Sequence, residues 1–229
     1  AVIRKASGQF YGDLLRERVF VPLGMGSARI ISEKEIVPHR AAGYQLEDGA
    51  PKHQDWVSPS LNTTADGSLY LSLRDLIAWD RGLRSGSILK TESWAQVFTP
   101  VTLTSGRRYP YGFGWGVDRR FGQELRQHSG SWQGFKTCIA RYLGDDLTII
   151  VLANLAQAEP DLFVKGIGRL INPKLGQPEP FVLVGALVAD GTGAPLKAAS
   201  VRVEGDTITD VGAVAPRDLH DLLAGLLPG

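Results

Sequence analysis

An α+β fold is predicted for this chain, and three observations predict it. Helix-spaced apolar residues occur before residue 100, β-branched runs joined by a tight turn follow between 135 and 155, and an amphipathic stretch comes last at 160–171. Helices first and an antiparallel meander afterwards give the α+β pattern.

The first predicted helix runs from Gln9 to about Val19, with Phe10, Leu14, Leu15 and Val19 on one stripe and charged residues around the rest. Pro22 and Gly24 stop it. Residues 26–65 show no sustained period, so a long and mostly irregular excursion is expected there, of the kind that covers a site. Ser72 opens the clearest helix. Its hydroxyl can accept from the Asp75 N–H while the Asp75 carboxylate reaches back, and Leu73, Leu76, Ile77 and Leu83 follow until Gly86. A short helix over "ESWAQVF" ends before Pro100.

"YGFGWGVDRR" alternates aromatic residues with glycines, which suits a strand approached closely by another element. A strand is predicted at about 123–128, meeting a glycine turn. "FKTCIARYL" and "DLTIIVLANL" form a hairpin around Gly144-Asp145-Asp146. "PDLFVKGIGRLI" is a helix lying across the sheet. The predicted domains are 1–172, a Pro/Gly-rich linker at 173–180, and a β-segment of two or three short strands at 181–229.

At 229 residues there is room for one sizeable domain and something small. The net charge of +1, with basic residues scattered, gives no electrostatic argument for nucleic acid or an anionic membrane, and no apolar run is long enough for a membrane span. Cys138 is the only cysteine, which excludes an intrachain disulfide and argues against a cysteine-based zinc site. No cofactor and no metal are expected. His39, His53 and His220 have no spacing suited to a metal.

The chemistry is expected around "RQHSGSWQGF", residues 126–135, where a histidine, serines and glycines are packed beside aromatic residues. Taken alone, His128 is as well explained as a strand-end histidine and Gly130 as a turn. The wider pattern decides. "GQFYGDLLRERVFVPLGM", "DGSLYLSLRDLIAWDRGL", "YGFGWGV", "HSGSWQGF" and "TIIVLANL", in this order, resemble the serine β-lactamase-like family: class C β-lactamases, penicillin-binding proteins, esterases and D-aminopeptidases. The resemblance covers about residues 1–172.

Members of that family place Ser-x-x-Lys on a helix, Tyr-x-Asn on a loop, and Lys-Thr-Gly or His-x-Gly on a strand. The resemblance implies catalytic roles for His128, Gly130 and Ser131. The Ser131 backbone N–H would meet the oxyanion, His128 would contact the substrate, and Gly130 would leave room for the acyl group. It implies substrate contacts for Ser129, Trp132, Asp66 and Gly67. A plain turn at Asp66-Gly67 and a core position for Trp132 and Phe135 are the competing explanations. Tyr44 and Trp56 are expected over the cleft. Histidine in place of lysine points to an esterase or D-aminopeptidase rather than a dedicated β-lactamase.

Ser-x-x-Lys occurs once, at Ser87-Ile88-Leu89-Lys90, where a surface turn is predicted, and Tyr-x-Asn occurs nowhere. Ser60-Leu61-Asn62 matches the alternative second motif but precedes Ser87, the reverse of the family order. The chain is therefore expected to be the C-terminal part of a serine hydrolase acting on a small ester, amide or peptide. Its nucleophile would lie upstream, in the missing N-terminal part of the same domain, leaving the chain without turnover. The resemblance suggests a periplasmic or secreted parent. A non-catalytic binding module of the same fold is the alternative from another class.

The tail, "LVADGTGAPLKAASVRVEGDTITDVG" followed by "LLAGLLPG", resembles the first strands of metal-dependent amidohydrolases, D-aminoacylases in particular. There the metal-binding His-x-His would come directly after Pro228-Gly229, and His220-Asp221 is not that motif. Such a parent, with zinc, is a third reading. An ordinary β-appendage would explain the same turns.

Overall fold

Strand and helix assignments come from a computed structural model, which describes residues 2–30, 32, 34–55, 57, 65–176, 181–189, 191–204 and 207–213. It divides into two units, Ala1–Ile167 and Gly168–Gly229.

The first unit begins with α1 (Val2–Ser7). A helical stretch follows in three segments: α2 (Tyr11–Leu15), a π-helical turn (Arg16–Phe20) and α3 (Val21–Leu23). Gly24 closes it in the left-handed conformation at φ 70°, as expected from the sequence. The predicted helix is thus longer at its C-terminal end, and Pro22 sits inside its last turn rather than beyond it. The supposedly irregular excursion also holds structure. Strand β1 (Arg29–Ile30) pairs later in the chain, and β2 (Tyr44–Glu47) with β3 (Ala50–His53) forms a hairpin. Its turn is Asp48-Gly49, both at positive φ, which is the Asp-Gly signature of a two-residue loop.

Strand β4 (Leu69–Tyr70) pairs with β1 and leads into α4 (Leu73–Ser85). The Ser72–Asp75 capping box forms as the sequence predicts, with Asp75 N donating to Ser72 Oγ at 3.2 Å and Ser72 N donating to Asp75 Oδ2 at 2.8 Å. Asp75 is buried, and it also accepts from Ser27. Burial pushes its carboxyl up, but the bonds from Ser27 and Ser72 outweigh that and hold it below the usual range. Helix α5 (Thr91–Val97) and the small pair β5 (Val101–Thr102) and β6 (Arg108–Tyr109) follow.

The main sheet has the order β10-β9-β8-β7, an antiparallel meander of β7 (Gly116–Arg120), β8 (Gln123–Trp132), β9 (Phe135–Tyr142) and β10 (Leu147–Ala153). Two sequence expectations are corrected here. The run from Tyr111 to Trp115 is a hook rather than a strand: Gly112 lies where a Cβ would sit 2.1 Å from the Val97 carbonyl oxygen, and Gly114 has φ 75°. Strand β8 does not stop at His128 but continues to Trp132, and the turn is Gln133-Gly134.

Helix α6 (Pro160–Ile171) packs on one face of the sheet, where buried Cys138 donates to Asp161 at 3.5 Å. Burial first, then the Asp161 charge, pushes that thiol up to about 12, so it stays protonated and inert. The other face carries Arg141, which donates to Asp80 of α4 at 2.8 Å.

In the second unit, Pro173–Gly176 is a single 3₁₀ turn, and residues 177–180 of the predicted linker lie outside the described residues. Strands β11 (Phe181–Val188), β12 (Lys197–Glu204) and β13 (Thr207–Gly212) form an antiparallel sheet in that order, with Val182 and Val201 buried. No helix follows Gly176 among the described residues.

Candidate active site

The outer half of β8 is the centre of the site. Strand β7 pairs with β8 only from Gln123 to Gln127, whereas β9 pairs with it to Trp132. Among the described residues, 128–132 therefore have a sheet neighbour on one side and none on the other. Which backbone groups use that neighbour follows from the hairpin. A two-residue turn makes Trp132 and Phe135 a hydrogen-bonded pair, and hydrogen-bonded pairs recur at every second residue. The bond from Leu143 N to Glu124 O, 3.0 Å, fixes the same phase at the far end. Gly130 and His128 thus bond to β9, and the N–H groups of Ser129 and Ser131 point out of the open edge.

Side chains alternate likewise. His128, Gly130 and Trp132 share a face with Thr137, Ile139 and Leu152, while the Ser129 and Ser131 side chains lie on the opposite face. A Cβ at Gly130 would meet Thr137 Oγ1 at 2.6 Å, so any side chain here would require the Thr137 hydroxyl to turn away. The freedom of Gly130 from a side chain therefore serves the neighbouring strand as well as any ligand.

A cleft of about 810 Å³ opens on this face and edge. All seven residues singled out in the sequence line it: His128, Ser129, Gly130, Ser131, Trp132, Asp66 and Gly67. That volume suits a small organic ligand. The Asp66-Gly67 turn is held by the next residue, since buried Ser68 hydrogen-bonds the hydroxyl of buried Tyr11. Phe135 also lines the cleft, as expected, and Trp132 is 38% exposed, so it forms wall rather than core.

His128 is exposed, and its Nε2 lies 2.8 Å from the Tyr111 hydroxyl. Sequence reasoning missed Tyr111. The signal was present in the glycines after it, which bend the hook back so that Tyr111 bridges Gly116 beside β8. Arg40 and His39 were missed as well and both line the cleft. Tyr44 does not line it, stacking instead on His53 at 5.2 Å. Trp56, Ser60, Asn62 and His220 lie outside the described residues.

Ser87 is exposed on the bend after α4, where its hydroxyl meets that of Ser85 at 3.0 Å, and it does not line the cleft. The surface position expected for it is what the structure shows. Among the described residues no cluster of histidine, cysteine or carboxylates could hold a metal ion, and no helix is long and apolar enough to cross a membrane.

Known proteins are similar to this chain in sequence and fold. The chain is 26% identical over 201 residues to a D-aminopeptidase of Gluconobacter oxydans (strain 621H), matching 84% of this chain and 37% of the relative. It is 28% identical over 165 residues to penicillin-binding protein 4* of Bacillus subtilis (strain 168), matching 67% of this chain and 37% of that protein. The chain thus spans well under half the length of these relatives. Among solved structures, the octameric penicillin-binding protein homologue from Pyrococcus abyssi superposes with a TM-score of 0.63 at 23% identity, over 90% of this chain and 49% of that one. This likeness carries the fold. Residues 1–170 match the Beta-lactamase family, and with the order of its strands and the cleft beside β8 the chain belongs to that family.

Proposed function

We propose that this chain forms the strand-side wall of an acyl-transfer site in a serine hydrolase that acts on an ester, amide or peptide, of the esterase or D-aminopeptidase kind. The observation that carries this reading is the open edge of β8: the Ser131 N–H points out of the sheet beside a cleft of ligand size. An N–H held rigidly there can donate to the oxygen that becomes negative when a serine attacks a carbonyl, a contribution of about 3 kcal/mol per donor. The attacking hydroxyl then forms an ester with the acyl group, the leaving group departs with the proton, and water releases the acid.

His128 stands at the start of that edge with Tyr111 against its ring, suited to contact the leaving group. Asp66, Gly67 and Trp132 also line the cleft. Ser129 and Ser131 contribute through their backbone, because their side chains lie on the far face. Similarity to a D-aminopeptidase supports an amide-type substrate for this chain.

Ser87, the serine of the single Ser-x-x-Lys in the sequence, does not line the cleft and is not read as the nucleophile. The tail at 181–229, of which β11, β12 and β13 are described, is read as resembling the first strands of an amidohydrolase.

Titrating the ¹⁵N-labelled chain with N-acetyl-D-alaninamide tests the site. Amide shifts should concentrate at His128–Trp132, and their absence there would sink the reading. Incubation with a fluorescent penicillin should give no stoichiometric adduct. An adduct at Ser87 would overturn the assignment of the nucleophile elsewhere.

A further inference from the structure

Strands β9 and β10 each place a threonine on the cleft face of the sheet, and the two hydroxyls differ. Thr148, opposite Arg141, donates to Asp80 Oδ1 at 2.9 Å and accepts from Arg84 at 3.0 Å. The Thr137 hydroxyl has no hydrogen-bond partner among the described residues, and it is not sealed away from solvent. Thr137 lines the cleft. Its neighbours on this face are Phe135 and Ile139 along β9 and Leu152 across on β10, all apolar and all in the cleft wall. Its partner on the remaining side, in β8, is Gly130.

Gly130 opens that hydroxyl to the edge. The Thr137 atom turned toward it is Oγ1, which lies 2.6 Å from where a Cβ on residue 130 would sit. The hydroxyl thus occupies the room that a side chain at 130 would claim. A ligand paired along the open edge lies one strand spacing from β8, about 5 Å. A side chain of about three or four bonds, rising on the cleft face, spans that distance over the bare glycine. A ligand closing over this floor displaces water from Thr137 Oγ1. A polar atom placed there replaces the lost bond, whereas an apolar isostere leaves the hydroxyl unpaired among apolar neighbours. Valine, an equally good strand former of the same shape, would fill the space without discriminating.

We infer that Thr137 is a specificity-determining residue: it selects ligands in which the residue whose carbonyl is held at Ser131 carries a short carboxamide side chain, laid over Gly130. The inference rests on the acyl-transfer reading of the open edge, and it narrows the substrate class to amides or peptides of asparagine-like residues. The Thr137 hydroxyl donates to the carboxamide oxygen, and the rest of that side chain lies against Leu152, Phe135 and Trp132. A hydroxymethyl side chain is too short for the span, and a leucine side chain has the length without the acceptor.

Titration of the ¹⁵N-labelled 229-residue chain with N-acetyl-D-asparaginamide and with the nearly isosteric N-acetyl-D-leucinamide decides the matter, each Kd being read from the Ser131 amide shift. In Thr137→Val the ratio of the two Kd values should move about fivefold against the asparagine ligand, the worth of one neutral hydrogen bond. The urea midpoint should not fall, since the hydroxyl removed has no partner in the described fold. Thr137→Ser keeps the hydroxyl and should hold the ratio within about twofold of that of the unaltered chain. An unchanged ratio in Thr137→Val, with Ser131 still responding, overturns the role of Thr137 and leaves the edge reading intact. No response at Ser131 to either ligand removes both. Should the valine variant not fold, Thr137→Ala serves in its place: a ratio moved against the asparagine ligand supports the role, and an unchanged ratio overturns it.

Discussion

Between Gln123 and Gln127, strand β8 has partners on both sides; between His128 and Trp132 it has one. The inner half is built as ordinary core. Leu125 is 3% exposed, and Arg126 lies with its guanidinium 3.6 Å from the centre of the Phe98 ring. The outer half is exposed throughout and made of small and polar residues apart from Trp132. One strand thus serves two purposes, and the division falls opposite the first residue of β7, Gly116. Stability resides in the doubly paired half, and that rigidity lets the other half hold the outward-pointing N–H groups of Ser129 and Ser131 in a fixed direction.

The largest effect is expected where α4 is pinned to the inner end. Arg126 and Arg141 are directly opposite each other on β8 and β9, a repulsive pairing that is tolerated because Arg141 is bound by Asp80 and Arg126 by Glu124. Asp80 also accepts from Thr148 at 2.9 Å and from Arg84 at 2.7 Å. Asp80→Asn leaves the buried Arg141 without its counter-charge, and about 4 kcal/mol of stability should be lost in urea unfolding. A loss under about 1 kcal/mol would show that the inner end is not where stability resides.

The pH dependence has a definite sign. Burial pushes the Asp80 carboxyl up, but bonds from Arg84 and Thr148 and the charges of Arg141 and Arg84 outweigh it, so the folded value lies below the ordinary 3.8. Stability from this group is complete above that ordinary value and is lost as pH falls through the folded one. The difference between Asp80→Asn and the unaltered chain should therefore shrink in acid, below about pH 4.

A smaller effect separates the two halves directly. Leu125→Ala should cost about 3 kcal/mol, as a buried leucine does, whereas Ser129→Ala, four residues on in the same strand, should cost less than about 0.5 kcal/mol. Amide exchange sharpens the contrast. In the outer half the N–H groups of His128 and Gly130 should be protected and those of Ser129 and Ser131 should exchange freely, an alternation that a doubly paired strand would not give.

The sequence carried much of this in local signals. The Ser72–Asp75 cap, the Gly24 and Gly86 stops and the hairpin at Gly144–Asp146 each depend on a few adjacent residues, and each formed as expected. The seven candidate residues are all found at one cleft, because the motif and the Asp66-Gly67 turn were identified by the company they keep along the chain. The errors lie where partners are remote. Whether β8 ends at His128 or Trp132 depends on how far β9 reaches, and nothing inside "HSGSW" says so. The Asp48-Gly49 hairpin was legible but hidden in a stretch without long periodicity. That Arg40 lines the cleft could not be found by local pattern, since it is placed by Tyr70, which reaches Gln133 in a turn nearly a hundred residues away.

The smallest effect concerns the hook before β7. The Tyr111 hydroxyl is 2.8 Å from His128 Nε2, and the backbone that brings it there is forced: Gly112 N donates to Trp115 O at 2.7 Å, and Phe113 N donates to Val97 O at 2.9 Å. Tyr111→Phe keeps the ring and this backbone while deleting one hydrogen bond at an exposed site. Stability should change by no more than about 1 kcal/mol, the net worth of such a bond. The informative readout is the imidazole. The ¹⁵N resonance of His128 Nε2 should move toward that of a solvent-exposed ring, with amide shifts confined to residues near Tyr111 and His128. If Nε2 is unchanged, the hook only closes the sheet edge and the orientation of His128 comes from β8 alone. If it moves, the glycines at 112 and 114 act at the site through the tyrosine they deliver, so the outer half of β8 depends on an element that never pairs with it.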